Sequence, residues 1–73
     1  MGQVKINADV AGRVSALLLP LGAAVKKGED VAVVEAMKME IPVSSPAAGK
    51  IQAFLVAVDD VVAEGQPLVI LEV

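Results

Sequence analysis

A length of 73 residues, a 56% apolar composition with one aromatic residue (Phe54) and a net charge of −3 describe one small acidic domain, close to the lower size limit for folding on a single core. The absence of cysteine and histidine excludes disulfide staples, thiolate sites, the commonest metal ligand and the commonest general base. The cations are scattered among acids with no basic stripe, and no apolar run approaches a bilayer span, which argues against nucleic-acid partners, membrane insertion and a signal peptide and makes the cytoplasm the expected compartment.

In chain order, apolar alternation predicts a strand over residues 3–8 and, past a turn at Gly12, a second over 13–19. Leu17-Leu18-Leu19 has helical potential that Pro20 and Gly22 cut short. An irregular connection then closes on Lys27-Gly28, and an apolar strand over 31–36 follows. The same series is predicted again as strands over 39–44, 50–56 and 68–73, with the second connection closing on Glu64-Gly65. Gly12, Gly28, Gly49 and Gly65 are all assigned to turns. No window combines helical periodicity with caps, and the Val, Ile and Leu content suits an all-β chain.

The two series are one repeat. A shift of 37 residues places Ala11-Gly12 on Ala48-Gly49, Leu18 on Leu55, Val25 on Val62, Gly28 on Gly65 and Glu35 on Glu72. Arg13 falls on Lys50, Val14 on Ile51 and Val33 on Ile70. Aligned valines alone arise easily between β-rich stretches, but two glycines at equal internal spacing do not. Halves of about 2–36 and 39–73 are therefore two copies of one supersecondary unit. Neither half can bury its apolar face alone. The expected fold is a flattened β-barrel or sandwich of two facing antiparallel sheets with an internal pseudo-twofold axis.

The linker between the copies is Met37-Lys38, because the repeat maps Ala36 onto Val73 and Met39 onto Gly2. The run Glu35-Ala36-Met37-Lys38-Met39-Glu40 lies between a buried strand (Val31 to Val34) and a half-buried one in which Ile41 and Val43 alternate with Pro42 and Ser44. It reads as a hairpin tip with the Lys38 amine in water. By the same symmetry the chain ends are expected together at the edge opposite Lys38. Such a lysine suits modification followed by presentation to other proteins.

The tetrad Ala36-Met37-Lys38-Met39 resembles the biotin-attachment motif of biotinyl domains, the carrier modules of biotin-dependent carboxylases and decarboxylases. The resemblance extends along most of the chain. Ala11-Gly12-Arg13-Val14 and Val25-Lys26-Lys27-Gly28-Glu29-Asp30-Val31 are similar to the family's first turn and its approach to the modification strand. Ser45-Pro46-Ala47-Ala48-Gly49 and Val62-Ala63-Glu64-Gly65-Gln66-Pro67-Leu68 are their counterparts in the second half. The departures lie in turns: Ala8-Asp9-Val10-Ala11-Gly12 lacks the usual proline, and Gly22-Ala23 and Asp59-Asp60 replace the frequent Gly-Asp. The thumb loop of some bacterial acetyl-CoA carboxylase carriers is missing, as is an alanine- and proline-rich linker, so the piece reads as a freestanding subunit or a trimmed domain.

The resemblance implies the barrel-sandwich fold of biotinyl and lipoyl domains over residues 1–73, with biotin held in an amide to Lys38 Nζ. A biotin protein ligase would attach it from biotinyl-adenylate. A solvated lysine amine is almost wholly protonated near neutral pH, so that ligase must supply a base or a desolvated site. CO₂ would then travel as carboxybiotin from a biotin carboxylase to a carboxyltransferase. Met37 and Met39 hold the flanking motif positions, and packing under the hairpin is their other reading. Ala36 belongs to the motif. Glu40, whose repeat mate is Gln3, is the acid assigned to ligase recognition, whereas Glu35 recurs as Glu72 and is assigned a structural or solubility role.

Catalysis by the chain itself is not expected. Ser44 and Ser45 have no evident base, and Asp59-Asp60 reads as a solvated turn rather than a carboxylate pair. Two alternatives remain: a lipoyl carrier, although lipoyl domains typically carry Asp-Lys-Ala at the tip, and an unmodified structural module of lipoyl-like fold.

Overall fold

In a computed structural model that describes residues 2–73, the chain is all β, with Met1 outside the described residues. The strands are β1 (Gln3–Asn7), β2 (Gly12–Leu17), β3 (Ala24–Val25), β4 (Asp30–Ala36), β5 (Met39–Ser44), β6 (Gly49–Phe54), β7 (Val61–Val62) and β8 (Pro67–Glu72). They form two four-stranded sheets, ordered β1-β8-β6-β3 and β5-β4-β2-β7, with every pairing antiparallel. The sheets face each other without closing into a barrel.

The apolar alternation read from the sequence becomes the space between these layers. Ile6, Val14, Val34, Ile51, Leu68 and Leu71 are each at most 2% exposed and form one contiguous core. Strands β4 and β8 are central in their sheets, and their nearly continuous apolar runs follow from burial on both flanks. The edge strands β5 and β1 carry Pro42 and Lys5 at mated positions. Both residues discourage pairing with another chain.

The pseudo-twofold extends to individual hydrogen bonds. Gly28 N–H donates to the Ser45 carbonyl at 2.8 Å, and Gly65 N–H donates to the Ala8 carbonyl at 2.8 Å. Gly22 N–H donates to Ile51 O and Asp59 N–H to Val14 O, again both at 2.8 Å. The pairing of β2 with β4 slips between Val14 and Ala16, and that of β6 with β8 between the mated Ile51 and Ala53.

The halves are not one sheet each, because each contributes two strands to either layer. The turn after β1 carries the chain across to the other sheet instead of folding it back. Strand β1 therefore pairs with β8 of the other half, and β5 with β4. The two halves are interlocked, which explains why neither buries its apolar face alone.

Strands β3 and β7 fall inside what the sequence presents as irregular connections. Two residues are too few for a periodic signal, and these exist only through pairing with β6 (Ala24↔Lys50) and β2 (Arg13↔Val61). The strands expected over 13–19 and 50–56 end at Leu17 and Phe54. Isolated backbone bonds from Leu18 N to Val31 O (2.9 Å) and from Leu55 N to Leu68 O (2.8 Å) continue them.

The four glycines assigned to turns divide into two kinds. Gly28 and Gly65 sit in turns at φ 86° and 82°, where an L side chain is strained. Gly12 and Gly49 instead begin β2 and β6. A Cβ at either would lie 2.3 Å from a backbone carbonyl, that of Glu35 or of Glu72. Their requirement is close backbone approach, which spacing alone does not distinguish from a turn.

Ser44 and Ser45 close the end of β5 with their hydroxyls. Ser44 Oγ donates to Asp30 Oδ1 at 3.1 Å, and the buried Ser45 Oγ donates to Ala47 O at 2.6 Å. The chain ends are paired, with Gly2 N–H donating to Val73 O at 3.1 Å and Val73 N–H to Gly2 O at 3.0 Å. From the Lys38 tip, β5 runs away to Ser44, and the following β6 starts beside Glu72. The joined ends therefore lie at the far end of a molecule 36 Å long and about 18 Å across.

Candidate functional site

The β4–β5 hairpin is paired up to Ala36↔Met39, which leaves Met37-Lys38 as a two-residue loop. Its φ angles are 51° at Met37 and 65° at Lys38. Positive φ at both central positions is the requirement of a type I′ turn, whose twist matches the twist of the strands it joins. Such turns favour Asn-Gly, and a bulky L residue in the left-handed region costs about 1–2 kcal/mol. The stem therefore imposes this conformation on the tip. Val34 and Val43 are fully buried below it, and Ala36, 8% exposed, closes the core immediately beneath the loop.

Replacing Met37 by asparagine, which tolerates positive φ, is expected to stabilise the domain by about 0.5–1 kcal/mol. A thermal unfolding midpoint higher by about 3–6 °C would register this gain.

Lys38 is exposed and, among the described residues, its amine makes no ion pair or hydrogen bond. Met37 is 95% exposed and Met39 64%. Packing under the hairpin is thus not the role of Met37, and Met39 is largely exposed as well. Exposed methionine is an adaptable apolar contact surface.

Glu35 and Glu40 face each other directly across β4 and β5, a like-charge pair that weakens a ladder unless compensated. The compensation comes from Arg13, on the neighbouring strand β2 and opposite Glu35. Its Nη2 lies 3.2 Å from Glu35 Oε1, and its Nη1 donates to Asp59 Oδ1. The Glu35 carboxylate, through its hydrogen bond and then its charge, raises the Arg13 pKa above its ordinary value; desolvation opposes this, and Asp59 adds a lesser rise. Glu40 is exposed and has no ion-pair partner among the described residues.

The structure thus brings Ala36, Met37, Lys38, Met39 and Glu40 together at one hairpin. Sequence reasoning missed Arg13 and Asp59. The available signal was the failure of self-similarity, since Asp59 has Gly22 as its repeat mate and Arg13 has Lys50. Asp59 occupies φ 80° where Gly22 has 82°. Asp60 Oδ2 accepts from Ala57 N–H at 2.8 Å, as a turn residue does, and no metal-holding cluster occurs among the described residues. An open groove of about 560 Å³, lined by Val25, Gly49, Lys50 and Val73 among others, lies at the far end from Lys38.

The family model described as "Biotin-requiring enzyme" matches residues 20–71. The chain belongs to this biotin/lipoyl family. The match takes in the whole β4–β5 hairpin and most of the second repeat. A single-chain, multi-domain long-chain acyl-CoA carboxylase contains a similar fold, at a TM-score of 0.86 and 35% identity over 94% of this chain. The urea carboxylase of Kluyveromyces lactis does so at a TM-score of 0.92 and 25% identity over 99% of this chain. The chain spans only 7% and 6% of those two proteins. The family's interlocked two-sheet fold is the one described above. No helix among the described residues is long and apolar enough to cross a membrane.

Proposed function

We propose that residues 1–73 are one carrier domain and that Lys38 is where biotin is attached, through an amide to Nζ. The observation that carries this reading is a primary amine with no ion pair among the described residues, held at the tip of a two-residue hairpin between exposed methionines. Such an amine fits a group attached through one covalent bond, since no enclosing pocket is needed. When bound, biotin supplies a ring nitrogen that carries CO₂.

The work of the chain's own residues is presentation. The paired stem of β4 and β5 fixes the direction of Lys38, and Ala36 seals the core beneath it. Met37, Met39 and Glu40 offer a biotin protein ligase two apolar contacts and one free carboxylate. The joined chain ends, at the other end of the molecule, allow a tether that leaves the tip clear. Tethering raises the local concentration of the arm at a biotin carboxylase and then at a carboxyltransferase. The chain does no chemistry on CO₂ or on the acceptor, and it works in the cytoplasm.

The test is the intact mass of the folded chain after incubation with a biotin protein ligase, ATP and biotin. One added biotinyl group is expected. An unchanged mass would overturn biotin attachment by that ligase, and a lipoyl group gained from a lipoyl ligase would replace the reading with a lipoyl carrier.

A further inference from the structure

The pseudo-twofold provides an internal comparison for the residues around the tip. Across the sheet that bears Lys38, one row of mutually paired residues runs Val61, Arg13, Glu35, Glu40. The mated row in the other sheet runs Ala24, Lys50, Glu72, Gln3. The backbone is the same, yet the chemistry differs at three positions. At the tip end an arginine bridges Glu35 and Asp59, and a second acid, Glu40, completes the row. At the far end Lys50 makes no ion pair with Glu72 among the described residues, Gly22 stands for Asp59, and Gln3 bonds Gln52 at 3.0 Å.

The fold therefore forms this row without an arginine bridge and without a second acid. The bridge offsets the Glu35–Glu40 repulsion only weakly. Its side chains are 42%, 45% and 76% exposed, and exposed ion pairs contribute little. What the bridge changes is the number of free carboxylates beside the modified lysine. With Glu35 held by Arg13, Glu40 is the one member of the facing pair left unbound.

We propose that Arg13 is a positioning residue for the modification of Lys38. Anchored on Asp59, it binds Glu35, so the tip offers a partner enzyme a single free carboxylate, that of Glu40. Without Arg13 two carboxylates face each other across the hairpin. They repel, and an enzyme surface shaped for one acid must desolvate a second that has no partner. This inference rests on the carrier reading above.

The test is steady-state biotinylation of the folded chain by a biotin protein ligase, comparing wild type with Arg13→Gln, Glu40→Gln and the double variant Arg13→Gln/Glu35→Gln. Arg13→Gln and Glu40→Gln are each expected to raise KM for the carrier about five- to tenfold while kcat stays within about twofold, as for a lost or misplaced charge at an interface. The double variant leaves Glu40 as the one acid of the facing pair, with Asp59 freed equally in both Arg13 variants, and its KM is expected within about twofold of wild type. A merely structural arginine would change KM only in step with the unfolding midpoint across the variants, whereas a positioning role raises KM in Arg13→Gln with the midpoint nearly unchanged. An unchanged KM in Arg13→Gln or in Glu40→Gln would overturn the proposal, as would a double variant as impaired as Arg13→Gln. Absence of label on the wild type would instead overturn the carrier reading, and this proposal with it.

Discussion

Lys38→Arg is expected to take up no biotin while folding as the parent does. The guanidinium stays protonated at any accessible pH and its lone pairs are delocalised, so the variant keeps the charge and approximate length of the side chain but loses the nucleophile. Lys38 is exposed and its amine makes no ion pair among the described residues, so stability should change by no more than about 0.5 kcal/mol. Intact mass and thermal unfolding, measured on the same sample, check both halves of the expectation. Exposure does not single out this lysine, since Lys5, Lys26, Lys27 and Lys50 are exposed as well. Position does: Lys5 and Lys50 lie within strands, Lys26 and Lys27 precede a turn glycine, and Lys38 alone occupies a two-residue hairpin loop. Label on Lys38→Arg would send the attachment to one of those four.

Gly12→Ala is expected to be the most damaging substitution of a single methyl group. The new Cβ would lie 2.3 Å from Glu35 O and 2.8 Å from a Val34 methyl. Relief requires β2 and β4 to move apart, yet Val14 and Val34 between them are fully buried in the core. Overpacking of this kind costs about 3 kcal/mol, a large share of the roughly 4–11 kcal/mol expected for a domain of this length. The unfolding midpoint should fall by about 12–20 °C. Gly49→Ala is expected to behave alike, because the mated contact with Glu72 O is also 2.3 Å. Gly28→Ala is the informative contrast: nothing lies within 4 Å, and only its φ of 86° penalises it, by about 1 kcal/mol. Equal losses in Gly12→Ala and Gly28→Ala would show that the close approach to Glu35 carries no restraint. Because that carbonyl directly precedes Ala36, the clash would also loosen the stem that aims Lys38.

Much of this was legible in the amino-acid sequence for definite reasons. Six of the eight strands announced themselves because burial of one face writes period-two alternation into a strand. The repeat was visible because each copy must bury the same surface against the other, which keeps valine, leucine and glycine in phase. The tip followed from the repeat, since Met37-Lys38 is the one stretch that belongs to neither copy. Lys38 stood out at that junction, and the resemblance of Ala36-Met37-Lys38-Met39 to the biotin-attachment motif, with Glu40 beside it, named its companions.

Other features have no local signature. Strands β3 and β7 are two residues long and exist only because another strand's edge lies beside them. Gly12 and Gly28 look alike in sequence, yet one answers to a neighbouring carbonyl and the other to its own φ. Glu35 looked equivalent to Glu72, and the structure separates them through Arg13, which is 22 residues away from Glu35 along the chain. The exposure of Met37, the left-handed turn and the pairing of Arg13 with Asp59 belong to the same class. By itself the sequence determined an all-β repeat with a lysine at its junction, because patterning and self-similarity are properties of neighbours along the chain. The tertiary structure decided how the halves interlock, which glycines are spatially required and which carboxylate beside Lys38 is free, because those depend on groups that only folding brings within a few ångströms.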